Sequence, residues 1–203
     1  KFNKVWYDST DVIATISKVT DDIVKNVSPA VQSTYVPHSI DTDVFKKMDD
    51  ETVEKFKNMH FGEEDSDKVI FFWNNRNARR KQSGSLIFWF KSFLDKVGHD
   101  KAMLLMHTDV KDPNGQDLEA IISEIGLTDG QVRFSQEKLP FDAMATLYNV
   151  ADCTINVSDA EGFGLATLES LACETPILVN MTGGLQEQVT DGEEWFGIGL
   201  EPS

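Results

Sequence analysis

Two glutamates eight residues apart frame the segment with the most chemical content, Glu161-Gly-Phe-Gly-Leu-Ala-Thr-Leu-Glu169. Between them Gly162 and Gly164 make a Gly-x-Gly turn that opens a helix. A glycine turn at a helix start brings bare backbone N–H groups close to a bound anion, and the aligned peptide dipoles favour negative charge there. Gly162, Phe163, Gly164 and Leu165 are the candidate donors. Glu169 falls one to two turns into the helix, within reach of a sugar hydroxyl. Its two acceptor oxygens suit two vicinal hydroxyls. A chain of net charge −15 needs a locally basic pocket to hold an anion, and Arg76, Arg79, Arg80 and Lys81 provide four of its 19 basic residues within six positions. Each residue also has an ordinary reading. These are a helix-start carboxylate for Glu161, a solvated helix carboxylate for Glu169, a core side chain for Phe163 and a solvated loop for the basic cluster.

The elements that must position these groups follow from the hydrophobic pattern. From Lys68 onward, short apolar runs alternate with amphipathic stretches. Strands are expected at 68–73, 102–106, 131–134, 153–157 and 176–179, with a sixth at 196–200. Helices are expected at 85–97, 117–125, 141–149 and 163–173. This alternation implies an α/β fold, a doubly wound parallel sheet of Rossmann-like type. The expected strand order, numbered within this unit, is 3-2-1-4-5-6. Strands 1 and 4 then flank the switch point, where ligands bind at the carboxyl ends. The loop after strand 1 holds the basic cluster and the loop after strand 4 holds the glycine turn, so two sequence-distant motifs converge on one crevice. Residues 1–67 read differently. Strands are expected at 11–17 and 33–37, a helix at 18–26, and an acidic, Lys-rich stretch up to Asp67.

The Glu-x7-Glu spacing, with glycines after the first Glu and a Thr-Pro-apolar strand after the second, resembles the signature of retaining glycosyltransferases of the GT-B fold, the family 4 or group 1 type. Further segments carry the same resemblance. Arg76 and Lys81 match a Gly-Arg-x4-Lys element, Gly183-Gly-Leu-Gln-Glu187 matches a Gly-Gly-x-x-Glu loop near the donor, and Tyr35-Val-Pro-His-Ser-Ile-Asp41…Phe45 is similar to the segment linking the two GT-B domains. The resemblance implies that residues 1–42 are the remnant of an N-terminal domain plus linker. Residues 43–203 are then the nucleotide-sugar-binding C-terminal domain without its final helices. It implies that Glu161 lies beside the donor sugar as the catalytic carboxylate, that Glu169 accepts from the ribose, and that Arg76 and Lys81, with Arg80 beside them, hold the diphosphate along with the N–H groups of Gly162–Leu165. The segment 134–139 would hold the base. Fixed positive charge matters because the leaving nucleoside diphosphate gains charge as the glycosidic bond breaks. The sequence departs from the family pattern at Asn75, His38-Ser39, Ala166-Thr167 and Glu174, where Gly, Asn-Gly, Pro-Leu and Gly are usual. A left-handed Glu174 would cost about 1 kcal/mol.

The expected activity is transfer of a sugar from a UDP-, GDP- or ADP-sugar to an unknown glycan, lipid or small-molecule acceptor with retention of configuration. This chain would be the donor-binding half and transfer poorly by itself. A non-catalytic nucleotide-sugar-binding module, or another GT-B enzyme such as a nucleotide-sugar epimerase, is the alternative. The acidic balance disfavours nucleic acid. No apolar run is long enough to span a bilayer. A cytoplasmic location is expected, peripheral to membrane through the N-terminal domain. Cys153 and Cys173 read as small core residues. No cofactor and no metal is expected: Asp41-Thr-Asp43 and Asp65-Ser-Asp67 read as solvated turns, and the four histidines have no ligand spacing.

Overall fold

In the computed structural model the described residues are 2–62, 65 and 67–201. The chain opens with helix α1 (Phe2–Asp8), then strand β1 (Val12–Thr15), helix α2 (Lys18–Val27) and strand β2 (Gln32–Tyr35). β1 and β2 pair in parallel, Val12 opposite Gln32, with α2 as the crossover that a parallel pair requires. Ser17 caps α2 by accepting from the Thr20 N–H at 3.3 Å. An extended segment then leads to Phe45, which is buried, and to helix α3 (Asp50–Phe61).

Strand β3 (Val69–Asn74) begins the main unit. It is followed by helix α4 (Ser83–Val97), β4 (Ala102–His107), α5 (Leu118–Ile125), β5 (Val132–Ser135), α6 (Phe141–Val150), β6 (Cys153–Asn156), α7 (Leu165–Ala172), β7 (Ile177–Asn180), α8 (Gln186–Val189) and β8 (Gly197–Leu200). Among the described residues this sheet has six strands in the order β5-β4-β3-β6-β7-β8, all parallel. That is the expected 3-2-1-4-5-6 arrangement. The strands are covered on both faces, so they read as continuous apolar runs. Ile70, Phe72, Met103 and Leu105 bury against α6, and Trp73, Leu104 and Met106 against α4 and α5. The four-residue β8 lies at one edge.

Helices α1 and α3 were not expected from the sequence. α3 lies in the acidic, Lys-rich stretch, yet Val53 and Phe56 pack on the core beneath α6. Asp49 caps it by accepting from the Thr52 N–H at 2.8 Å. α1 is only seven residues long and exposes Val5 and Trp6. The reading of Asp65-Ser-Asp67 as a solvated turn is corrected for Asp65, which is largely buried and pairs with Lys68 at 2.6 Å and with Arg133. Ser66 lies outside the described residues. Asp41 does make a surface turn, accepting from the Asp43 N–H at 2.9 Å. Among the described residues no group of three or more His, Cys, Asp or Glu stands where it could hold a metal ion, and no helix is long and apolar enough to cross a membrane.

Candidate functional site

The site grows from the neighbouring strands β3 and β6, whose following loops leave the sheet in opposite directions around it. After β3 the chain turns through Asn75–Ala78 into a single 3-10 turn, Arg79–Lys81, and then through Gln82, which has a left-handed φ of 57°. Buried Asn77 anchors this loop. It accepts from the Ser83 hydroxyl at 2.7 Å and donates to the Gln116 carbonyl at 2.7 Å. After β6 the chain runs through Ser158–Gly164. The two loops are joined directly: the Asp159 N–H donates to the Arg80 carbonyl at 2.8 Å, Arg80 donates to the Ala160 carbonyl at 2.7 Å, and Gln82 donates to the Asp159 carboxylate at 2.7 Å.

At the junction the Lys81 ammonium pairs with the Glu161 carboxylate, and Arg80 lies 3.7 Å from the same oxygen. The side chains of Lys81 and Glu161 are only 8% and 13% exposed, whereas Arg80 is 54% exposed. Burial pushes the Lys81 ammonium below its ordinary value, and the hydrogen bond and charge of Glu161 oppose that shift. Arg76 lies elsewhere: it makes a two-point ion pair with Asp112, at 2.6 and 3.2 Å, at the loop's outer side. That pair, with hydrogen bonds from Asn114, holds the Asp112 carboxyl down at about 2. Arg80 and Lys81 thus face Glu161, while Arg76 faces Asp112.

The glycine turn has the backbone that its sequence suggests. Gly164 caps α7 with a left-handed φ of 91°. The Gln188 amide donates to the carbonyls of Phe163, at 2.7 Å, and Gly164, at 3.2 Å. In a trans peptide the following N–H points opposite to the carbonyl, so the N–H groups of Gly164 and Leu165 point away from Gln188. Among the described residues no acceptor is recorded for them or for the N–H groups of Gly162 and Phe163. Thr167, the departure from the family's usual Leu, is buried and donates to the Gly164 carbonyl at 2.7 Å. Its hydroxyl also meets the Gln188 amide oxygen. Thr167 and Gln188 together set the turn. Phe163 itself is a core side chain, edge-on to His38 at 5.2 Å between ring centres.

A third loop seals the floor. Gly183 has φ 48°, and a Cβ there would collide with the Glu161 carbonyl, while the Gly184 N–H donates to that same carbonyl at 3.2 Å. The resemblance places the whole 183–187 loop near the donor, but the Glu187 carboxylate faces elsewhere. It accepts from the Tyr35 hydroxyl at 2.7 Å and from the Lys18 N–H at 2.8 Å, tying β2 and α2 to the main unit. Arg80, Ala160, Glu161, Gly162, Thr182 and Gly183 line a cleft of about 400 Å³.

Glu169 projects from α7, half-buried, and its carboxylate accepts from the Tyr148 hydroxyl at 2.6 Å. Burial raises the Glu169 carboxyl above its ordinary value, against the lowering effect of the Tyr148 hydrogen bond. The Tyr148 hydroxyl also accepts from the Asn74 amide, at 2.8 Å, at the end of β3. Sequence reasoning missed Tyr148 and Asn74. A tyrosine in an apolar helix reads as core, and only its hydroxyl hints at a polar partner. His107 ends β4 beside Asn74, half-buried, with Nδ1 2.9 Å from the Ser135 hydroxyl.

The profile of the family described as "Glycosyl transferases group 1" matches residues 54–201. A D-inositol 3-phosphate glycosyltransferase of Corynebacterium jeikeium is 29% identical over 172 residues, 83% of this chain and 40% of that protein. Sucrose-phosphate synthase from Thermosynechococcus elongatus superposes with a TM-score of 0.79 at 24% identity, over 99% of this chain and 48% of that one. Anabaena HepE, solved in complex with UDP and glucose, does so with a TM-score of 0.75 at 16% identity, over 95% and 50%. The chain thus spans half or less of the length of these proteins.

Proposed function

The chain belongs to the glycosyl transferases group 1 family, and from that premise we propose that it is the donor-binding part of an enzyme that moves a sugar from a nucleoside diphosphate to an acceptor with retention of configuration. One observation carries the reading: Arg80, Glu161 and Gly162, the start of the glycine turn, line one cleft, and Lys81 pairs with Glu161 there. Two cations beside a helix N-terminus suit a diphosphate, and they stabilise the charge it gains as the glycosidic bond breaks. Arg76 joins them on exchanging Asp112 for phosphate. Glu161 is released from Lys81 to hold the donor sugar, and Glu169 accepts from the ribose. Residues 1–42 are read as part of the partner domain and linker, and 43–203 as the donor domain. HepE's complex with UDP and glucose makes UDP the first nucleotide to try, with GDP and ADP beside it. The cations in this reading are side chains, and no metal is part of it.

Calorimetric titration of the chain with UDP, GDP and ADP, each without and then with magnesium, tests this. Binding of one nucleotide without magnesium, lost in Glu169→Ala, is expected. Absence of binding by all three overturns the reading.

A further inference from the structure

The hydrogen-bonded line from Asn74 through Tyr148 to Glu169 joins three elements around the switch point: the end of β3, helix α6 and helix α7. Tyr148 is fully buried. Its ring packs edge-on against Phe72, with centroids 5.1 Å apart, and against Phe45 at 6.1 Å. The Thr175 hydroxyl donates to its backbone carbonyl at 2.7 Å. The ring therefore has no freedom to swing. Its hydroxyl has one proton, and the Asn74 amide occupies an acceptor site on the oxygen, so the proton is directed at Glu169. A phenylalanine would fill the same volume. The hydroxyl is a polar group placed in the core with Asn74 and Glu169 as its partners.

We propose that Tyr148 is a positioning residue for donor binding. It fixes the plane of the Glu169 carboxylate so that one oxygen is taken and the other faces the ribose hydroxyls. The inference rests on the reading of Glu169 as the ribose acceptor. Burial and the adjacent Glu169 charge push the Tyr148 hydroxyl well above its ordinary value, so it stays a donor through the working pH range. An unpinned carboxylate on a helix side chain must lose rotamer freedom on binding, and a pinned one has already lost it.

The test is a cycle. UDP, GDP and ADP are titrated into the wild-type chain and into Tyr148→Phe, and the tightest is repeated as its 2′,3′-dideoxy analogue. Tyr148→Phe is expected to weaken the natural nucleotide about tenfold and to leave the dideoxy analogue unchanged. The acid limb of binding is expected to move to higher pH, because Glu169 has lost the hydrogen bond that lowers it. Asn74→Ala keeps the ring in place, and is expected to give a smaller loss of the same selectivity should Tyr148→Phe fold poorly. Equal weakening of both ligands, or no weakening of either, overturns the inference while leaving the donor site standing. No nucleotide binding by the wild-type chain overturns the reading beneath it as well.

Discussion

Glu169 is held by two opposed influences. Its half-buried position on α7 disfavours the charged form, and the Tyr148 hydrogen bond favours it, with burial the larger effect. The folded chain therefore binds a proton at Glu169 more tightly than the unfolded chain does. This contribution to stability is full below the ordinary carboxyl value and declines as pH rises through the raised, folded value. At neutral pH the ionised carboxylate is a net cost. Glu169→Gln keeps an oxygen that accepts from Tyr148 and removes the charge. It is expected to raise the thermal midpoint at pH 7 and to leave it unchanged near pH 4, while weakening nucleotide binding about 10- to 100-fold, the worth of hydrogen bonds to a charged acceptor. Thermal melts at the two pH values and a titration check both arms. A lower midpoint at pH 7 would show that the carboxylate is stabilising. The Lys81–Glu161 pair obeys a different logic: each charge is tolerable because the other is there, and removing one partner of a buried pair costs about 3–5 kcal/mol.

At the scale of elements, the turn before β7 tests how far local backbone chemistry was legible. Glu174 stands where glycine is usual, and its φ is +60°. Its ion pair with Lys47, at 3.1 Å, is well exposed on both sides and contributes little. Glu174→Gly is expected to stabilise the fold by about 1 kcal/mol, seen as a higher urea midpoint with unchanged slope. No shift would mean that the position tolerates the strain through neighbouring contacts. The strand order was readable because each buried strand is a short apolar run and the crossover rules leave few topologies. That order brought the loops after β3 and β6 together before any contact was known. α3 was hidden because its apolar positions, Val53 and Phe56, are spaced among charges, although Asp49 before Thr52 offered a cap signal. The contacts of Arg76, Tyr148 and Glu187 were not legible. Each depends on a partner more than 20 residues away in sequence: Asp112, Glu169 and Tyr35. No local spacing reports such a partner.

Over the whole molecule, an acidic chain of net charge −15 holds a small basic crevice, assembled from loops that the sheet topology brings together. A second hollow, of about 380 Å³, lies between α4 and the sheet, where Phe71, Leu86, Phe93, Ile155 and Leu178 are among its lining residues. It carries no charged side chain and offers nothing to hold a diphosphate. The donor site is therefore testable by place as well as by affinity. Backbone amide resonances of the 15N-labelled chain, followed while the nucleoside diphosphate is added, test that placement most directly. Saturable shifts concentrated at Arg80–Lys81, Gly162–Leu165 and Glu169 are expected. Shifts gathered instead around Trp89 and Phe93, or none at millimolar nucleotide, would contradict that placement.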